Sequence, residues 1–157
     1  MKIYLAGFIN GSKLDQCAEW RRRVREYYYS NPKWHNEIVF LDPLNGKQFE
    51  NITPDGLGSD IPGKALVHRD FKCVKECDLL VANLNTFGVD RTPTGTLFEV
   101  AWGWTMEKPV IIITDDARYI NHPFIKDTAS IIVPSVDDML EKRYIDYFYK
   151  GTVTALY

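Results

Sequence analysis

Asp78-Leu79-Leu80-Val81-Ala82-Asn83-Leu84 is an almost unbroken apolar run between a helix-patterned stretch and a loop. A strand with one wet face alternates apolar and polar residues, so a strand apolar at nearly every position is covered on both faces, as in a parallel sheet between helices. Downstream, Asn85 to Pro93 reads as a loop containing Phe87, Gly88 and Asp90. Thr94-Gly95-Thr96-Leu97-Phe98-Glu99-Val100-Ala101-Trp102-Gly103-Trp104 reads as the opening turns of a helix that runs to about Glu107, with Thr94 or Thr96 able to cap its free amides. Lys108-Pro109 ends that helix. Val110 to Thr114 is a second buried strand, closed by Asp115-Asp116. Tyr119 to Phe124 reads as a loop, Ser130 to Val133 as a last short strand, and Val136 to about Tyr149 as a last helix.

The same grammar holds upstream. Lys64 to Cys77 has a helical pattern, with Ala65, Val67, Phe71 and Val74 among its apolar positions and Asp70 mid-helix beside Arg69. Glu37 to Leu41 reads as a short strand ended by Asp42-Pro43. Residues 44–63, rich in Asn, Gly, Asp and Pro, read as a flap. Lys2 to Ala6 is the first strand, ended by Gly7. The loop Gly7-Phe8-Ile9-Asn10-Gly11-Ser12 leads to a helix that starts at Ser12 or Asp15, carries Ala18, Trp20, Val24 and Tyr28 inward, and stops near Ser30-Asn31-Pro32. Strands alternating with helices imply a parallel sheet sandwiched between helical layers, and five strands in the flavodoxin-like order 2-1-3-4-5 are the simplest topology. With 157 residues and neither a repeat nor a composition break, residues 1–157 read as a single domain.

Bulk chemistry narrows the function. A net charge of −2 argues against a nucleic-acid backbone as partner, and Trp20-Arg21-Arg22-Arg23-Val24-Arg25, the one basic run, reads as a solvated helix face. Cys17, Cys73 and Cys77 are an odd set without a secreted-type framework, which fits packing thiols and a reducing cytoplasm. No apolar span is long enough for a membrane. Gly7 and Gly11 do not make the G-x-G-x-x-G fingerprint of a dinucleotide site. Open α/β sheets bind ligands at the C-terminal ends of their strands, the edge where the loop before Thr94 lies. Glu99, one turn into that helix among Leu97, Phe98, Val100, Ala101 and Trp102, is a carboxylate in company that makes burial costly unless it is paired or used. It is the candidate nucleophile.

Several stretches together carry a likeness. Lys2-Ile3-Tyr4-Leu5-Ala6-Gly7 opens the chain, Asp70 stands eight residues before Asp78, and Gly95-Thr96-Leu97-Phe98-Glu99 precedes Ala101-Trp102. Lys108-Pro109-Val110-Ile111 and Asn121-His122-Pro123-Phe124 follow, and Tyr157 is last. In order and spacing the chain resembles the nucleoside 2-deoxyribosyltransferase family. The resemblance implies a flavodoxin-like three-layer fold and transfer of a 2-deoxyribosyl group between nucleobases. It implies Glu99 as nucleophile, Tyr4 as the partner of its carboxylate and Asp70 as a base-handling acid whose proton affinity burial raises. Gly7, Phe8, Thr94 and Gly95 would line the substrate. Asn121, reaching across from a neighbouring subunit, and the C-terminal Tyr157 would complete the site of a homo-oligomer. Many members carry a base-binding aspartate six residues before the nucleophile, where this chain has Pro93, so that part falls to Asp90. The aromatics Phe8, Phe87, Trp102 and Trp104 are candidates for excluding water. No metal or redox cofactor is needed for such chemistry. Two alternatives remain at this point: a nucleoside 5′-monophosphate N-glycosidase of the same fold, with Asn10, Ser12, Thr94 and Thr96 as its phosphate cradle, and a non-catalytic nucleotide-sensing module.

Overall fold

The structure is a computed structural model that describes residues 1–9, 12–45 and 62–150. Most of the segment read as a flap, together with Asn10 and Tyr157, lies outside the described residues. In chain order the elements are β1 (Lys2–Gly7), α1 (Leu14–Tyr29), β2 (Val39–Leu41), α2 (Gly63–Glu76), β3 (Leu79–Asn83), α3 (Thr94–Thr105) and β4 (Val110–Ile113). They are followed by α4 (Ala117–Ile120), α5 (Pro123–Thr128), β5 (Ile131–Val133), α6 (Val136–Glu141) and α7 (Tyr144–Tyr147). The five strands form one sheet in the order β2-β1-β3-β4-β5, and every pairing is parallel.

The two-residue period of a strand divides the core into two layers. Ile3 and Leu5 of β1, Leu79 and Val81 of β3, and Ile111 and Ile113 of β4 pack with Trp20, Val24 and Tyr28 of α1 and Met139 and Leu140 of α6. Tyr4 and Ala6, Leu80 and Ala82, and Val110 and Ile112 face the other way, onto Val74, Cys77, Val100 and Ile125. Tyr4 is thereby committed to the side of the sheet that α2 and α3 cover.

Several local readings are corrected. Neither Thr94 nor Thr96 caps α3: Pro93 is the N-cap residue, and no side chain bonds the helix's free amides there. The span 119–124, read as a loop, contributes to two short helices. Asp116 accepts from the Arg118 amide to start α4, and Pro123 opens α5. The last helix is broken, because Arg143 takes a left-handed φ of 55° between α6 and α7. On α2 Leu66 and Val74 are buried and Cys73 is half-buried, with the C-cap Cys77 buried after them, while Ala65, Val67 and Phe71 are exposed.

The largest correction concerns the basic run, in which Arg21 is fully buried. β2 accompanies β1 only as far as Tyr4, so among the described residues the later carbonyls on that edge of β1 have no strand beside them. The Arg21 guanidinium takes the strand's place. Its Nε donates to the Leu5 carbonyl at 3.1 Å and its Nη2 to the Gly7 carbonyl at 3.0 Å, while Nη1 donates back to the Cys17 carbonyl of its own helix. Asp42, just past β2, lies 3.5 Å from Nε and also pairs with Arg25. Burial lowers the proton affinity of Arg21, and the Asp42 carboxylate is the strongest influence opposing that. The buried cation is tolerable because it is both paired and hydrogen-bonded.

Gly7 marks where these parts close up. A β-carbon there would meet Trp20 Cζ2 at 2.9 Å, Arg21 Nη2 at 3.2 Å and the Asn83 carbonyl oxygen at 3.3 Å. A rigid ring, a pinned guanidinium and backbone cannot all give way. Gly7→Ala should therefore lower unfolding stability by about 1–3 kcal/mol in urea titration, and an unchanged midpoint would contradict this packing.

Candidate active site

A cavity of about 610 Å³ opens at the C-terminal ends of β1 and β3. The chain's strand order reverses between these two strands, which is where open α/β sheets leave a crevice. Gly7, Phe8 and Ile9 line it from the end of β1, Pro43 from the turn after β2, and Leu66 and Asp70 from α2. Arg91, Thr92 and Pro93 complete the wall with Thr94, Gly95, Thr96 and Glu99 of α3. A larger depression of about 940 Å³ lies at the opposite edge of the sheet, lined by Met1, Glu37, Asp78 and Lys108 among others. No carboxylate there is buried in apolar company, as Glu99 is.

Glu99 stands on the inward stripe of α3, with Thr96, Val100 and Gly103. This i, i+3, i+4, i+7 spacing is the face that helices turn to a core. Glu99 is 7% exposed, and its Oε1 accepts a 2.6 Å hydrogen bond from the Tyr4 hydroxyl across 95 residues of sequence. Tyr4 is itself fully buried. Burial is the main reason its proton is held far more tightly than in a free phenol, and the negative charges of Glu99 and then Asp70 add to the effect. The Tyr4 hydroxyl is therefore a permanent donor to the carboxylate.

Asp70 lines the cavity but is not the buried acid expected from the sequence. Its side chain is 21% exposed, and its Oδ1 accepts from Arg69 Nε at 3.1 Å and Nη2 at 3.0 Å. This is the arrangement of an ionised carboxylate.

Of the other sequence candidates, Gly7, Phe8, Thr94 and Gly95 line the cavity. Asp90 does not; it is exposed on the preceding loop, and Arg91 to Thr94 come to the wall instead. Asn121 is exposed at the end of α4, outside this cavity, and donates to the Ala117 carbonyl. Phe87, Trp102 and Trp104 are not part of the wall. Trp102 stacks edge-on with Phe71 and Phe98, and Trp104 is 57% exposed. Sequence reasoning missed Ile9, Pro43, Leu66, Arg91 and Thr92. Only Arg91, a cation in the loop before α3, carried a signal that could have found it.

A parallel α/β sheet with a tyrosine-held carboxylate beside a cavity at its switch point is the arrangement of a candidate small-ligand site. The chain belongs to the nucleoside 2-deoxyribosyltransferase family, whose sequence model matches residues 3–145. No curated protein matches it by sequence. Among solved structures it is similar to a 2-deoxyribosyltransferase from Leishmania mexicana, at 15% identity and a TM-score of 0.63, over 96% of this chain and 99% of that one. It is also similar to a CMP N-glycosidase from Clostridium botulinum, at 14% identity and a TM-score of 0.60, over 93% of this chain and 99% of the other. A conserved protein from Enterococcus faecalis is 21% identical with a TM-score of 0.61, over 93% and 98% of the two chains. Both a transferase and a glycosidase thus share the fold. Among the described residues no helix is long and apolar enough to cross a membrane.

Because Glu99 occupies a core position, its bond to Tyr4 should register in stability. Tyr4→Phe leaves the buried carboxylate short of a donor and should lower stability by about 1–3 kcal/mol. Adding Glu99→Leu should return part of that loss. Thermal melts in which the double variant is less stable than Tyr4→Phe alone would contradict it.

Proposed function

We propose that this protein transfers a 2-deoxyribosyl group from one nucleobase to another through a covalent ester on Glu99. The observation that carries this reading is the 2.6 Å hydrogen bond from the buried Tyr4 to Glu99, whose carboxylate side chain lines a nucleoside-sized cavity. A carboxylate is costly to keep on a helix's core-facing stripe, and here it borders a cavity that can hold a substrate. In the reading, the Glu99 carboxylate attacks C1′ as the N-glycosidic bond breaks, and the base departs with the bonding electron pair. A proton from solvent at the open mouth neutralises the base. Asp70, ionised against Arg69, accepts an N–H of the base and orients it. A second base then enters and attacks C1′ from the face the first one left, giving up its ring N–H proton to solvent as the C1′–O ester bond breaks, which releases Glu99 and retains the sugar's configuration. Tyr4 keeps one carboxylate oxygen hydrogen-bonded and the group oriented throughout.

The same reading makes the protein a homo-oligomer of one-domain chains with shared sites. Asn121 lies outside this chain's own cavity, so any part it plays is at a neighbour's. The outer face of α3 supports this, since Phe98, Ala101, Trp104 and Thr105 are exposed and uncharged. Its partners in solution would be deoxynucleosides and free bases, in the cytoplasm.

A second reading has its own support. The Arg91 side chain makes no hydrogen bond or ion pair with the described residues, and it stands at the wall beside the uncapped start of α3. Thr96 is 3% exposed, and no hydrogen bond of its hydroxyl is seen among the described residues. A helix N-terminus with a cation beside it suits a phosphate, so a nucleoside 5′-monophosphate N-glycosidase, with water replacing the second base, is the alternative. Incubation of a deoxynucleoside with a different free base, followed by chromatography, separates the two. New deoxynucleoside is the expected product, and it should be lost in Glu99→Ala. Base release from monophosphates alone would replace the transferase reading with the glycosidase. Binding without turnover would leave only a sensing module.

A further inference from the structure

Residues adjacent in a helix point about 100° apart, so an i, i+1 ion pair is not one that helix geometry favours. Arg69 and Asp70 nevertheless make such a pair on α2, with the guanidinium 3.0 Å from the carboxylate. The turn after β2 accounts for it. Arg69 Nη2 also donates to the Pro43 carbonyl at 2.8 Å, and Nη1 to the Asn45 carbonyl at 3.3 Å. The turn itself is held from the other side, since Asp42 Oδ1 accepts from the Leu44 amide at 2.9 Å while its carboxylate pairs with Arg21 and Arg25 of α1. Three arginines from two helices therefore fix one turn. The last of them, bent toward that turn, reaches Asp70 with two donors on a single oxygen. The other oxygen, Oδ2, has no partner among the described residues, and Asp70 lines the cavity.

We propose that Arg69 is a positioning residue. Anchored on the Pro43 and Asn45 carbonyls, it occupies Asp70 Oδ1 and thereby presents Oδ2, as an ionised acceptor of fixed direction, to the base. This rests on the functional reading above and deepens it: Arg69 touches neither sugar nor base and acts only through Asp70. The direction of Asp70 is set by the β2 turn rather than by α2 alone. A contact that fixes the orientation of the base aligns the N-glycosidic bond with the attacking carboxylate, so its loss falls on kcat rather than on KM.

The test is a double-mutant cycle on the full chain, assayed by base exchange on a deoxynucleoside with a second free base. Arg69→Gln should lower kcat on the order of tenfold, the scale of coupling within one hydrogen-bond network, with KM within about twofold. Arg69→Lys, which keeps the charge but not the two-pronged fork, should recover part of the loss. In an Asp70→Asn background, Arg69→Gln should cost less than about twofold further, because the residue through which it acts is already disabled. Additive losses, or a KM effect without a kcat effect, would overturn the proposal and leave the transferase reading standing. If Arg69→Gln fails to fold, the cycle is run with Arg69→Lys and read in the same way. A wild-type protein that turns over no nucleoside overturns both together.

Discussion

The arrangement depends on one hydrogen bond, from a tyrosine in the central strand to a carboxylate on the helix that covers it. Glu99 occupies a position where every geometric rule places a core residue, with Val100 and Gly103 on the same stripe and Leu80 close beneath Gly103. Burying a carboxylate there opposes folding unless a donor meets it. Tyr4 is that donor, and the sheet supplies it without adjustment: alternation along β1 puts Ile3 and Leu5 in one core layer and Tyr4 in the other. The strand order then leaves open space at the ends of β1 and β3, beside the pair. Sheet period, helix period and topology converge on one carboxyl group.

The cavity wall follows from a shortage of strand. β2 is three residues long and stops level with Tyr4, so the end of β1 and the turn after β2 lack the ladder that would ordinarily hold them. Arginines do that work instead. Arg21 takes the orphaned carbonyls of Leu5 and Gly7, Arg21 and Arg25 share Asp42, and Arg69 binds the turn from α2. Buried backbone acceptors must be satisfied, and a guanidinium offers several donors in a fixed plane, enough to bridge elements whose spacing differs from a regular sheet's. Pro43, on the wall, is held in this way through its carbonyl, and Gly7, also on the wall, through its own.

Much of this was legible in the sequence. The apolar runs at 79–82 and 110–113 and the alternating strand and helix patterns are local signals, and they yield the five-stranded parallel sheet in its observed order. Glu99 was legible because a charge among aromatic and aliphatic neighbours breaks the expected pattern. Arg21 was not. In sequence it is one of four arginines within five residues, and its burial depends on carbonyls left free by a strand that ends early elsewhere in the chain. Asp70 was found as a residue, but its state was not, because an i, i+1 ion pair is formed only when a distant turn captures the arginine. Asp90 carried the right residue type for a site, but the loop before α3 brings Arg91 to Thr94 to the wall in its place, while Asn121, expected to act in a neighbouring subunit, lies outside this chain's own cavity. The helix starts at Pro93 and Pro123 show the same limit, since caps and short helices are decided by single residues whose alternatives differ by about 1 kcal/mol.

The central claim is that Glu99 is the atom donor to C1′. Its most direct measurement is rapid acid quench of the protein during turnover of a deoxynucleoside, followed by mass spectrometry of the intact chain and its peptides. The account predicts an added 2-deoxyribosyl mass on the peptide containing Glu99, absent in Glu99→Gln, which should also be inactive. An adduct on another residue, or sustained base exchange by Glu99→Gln, would contradict it.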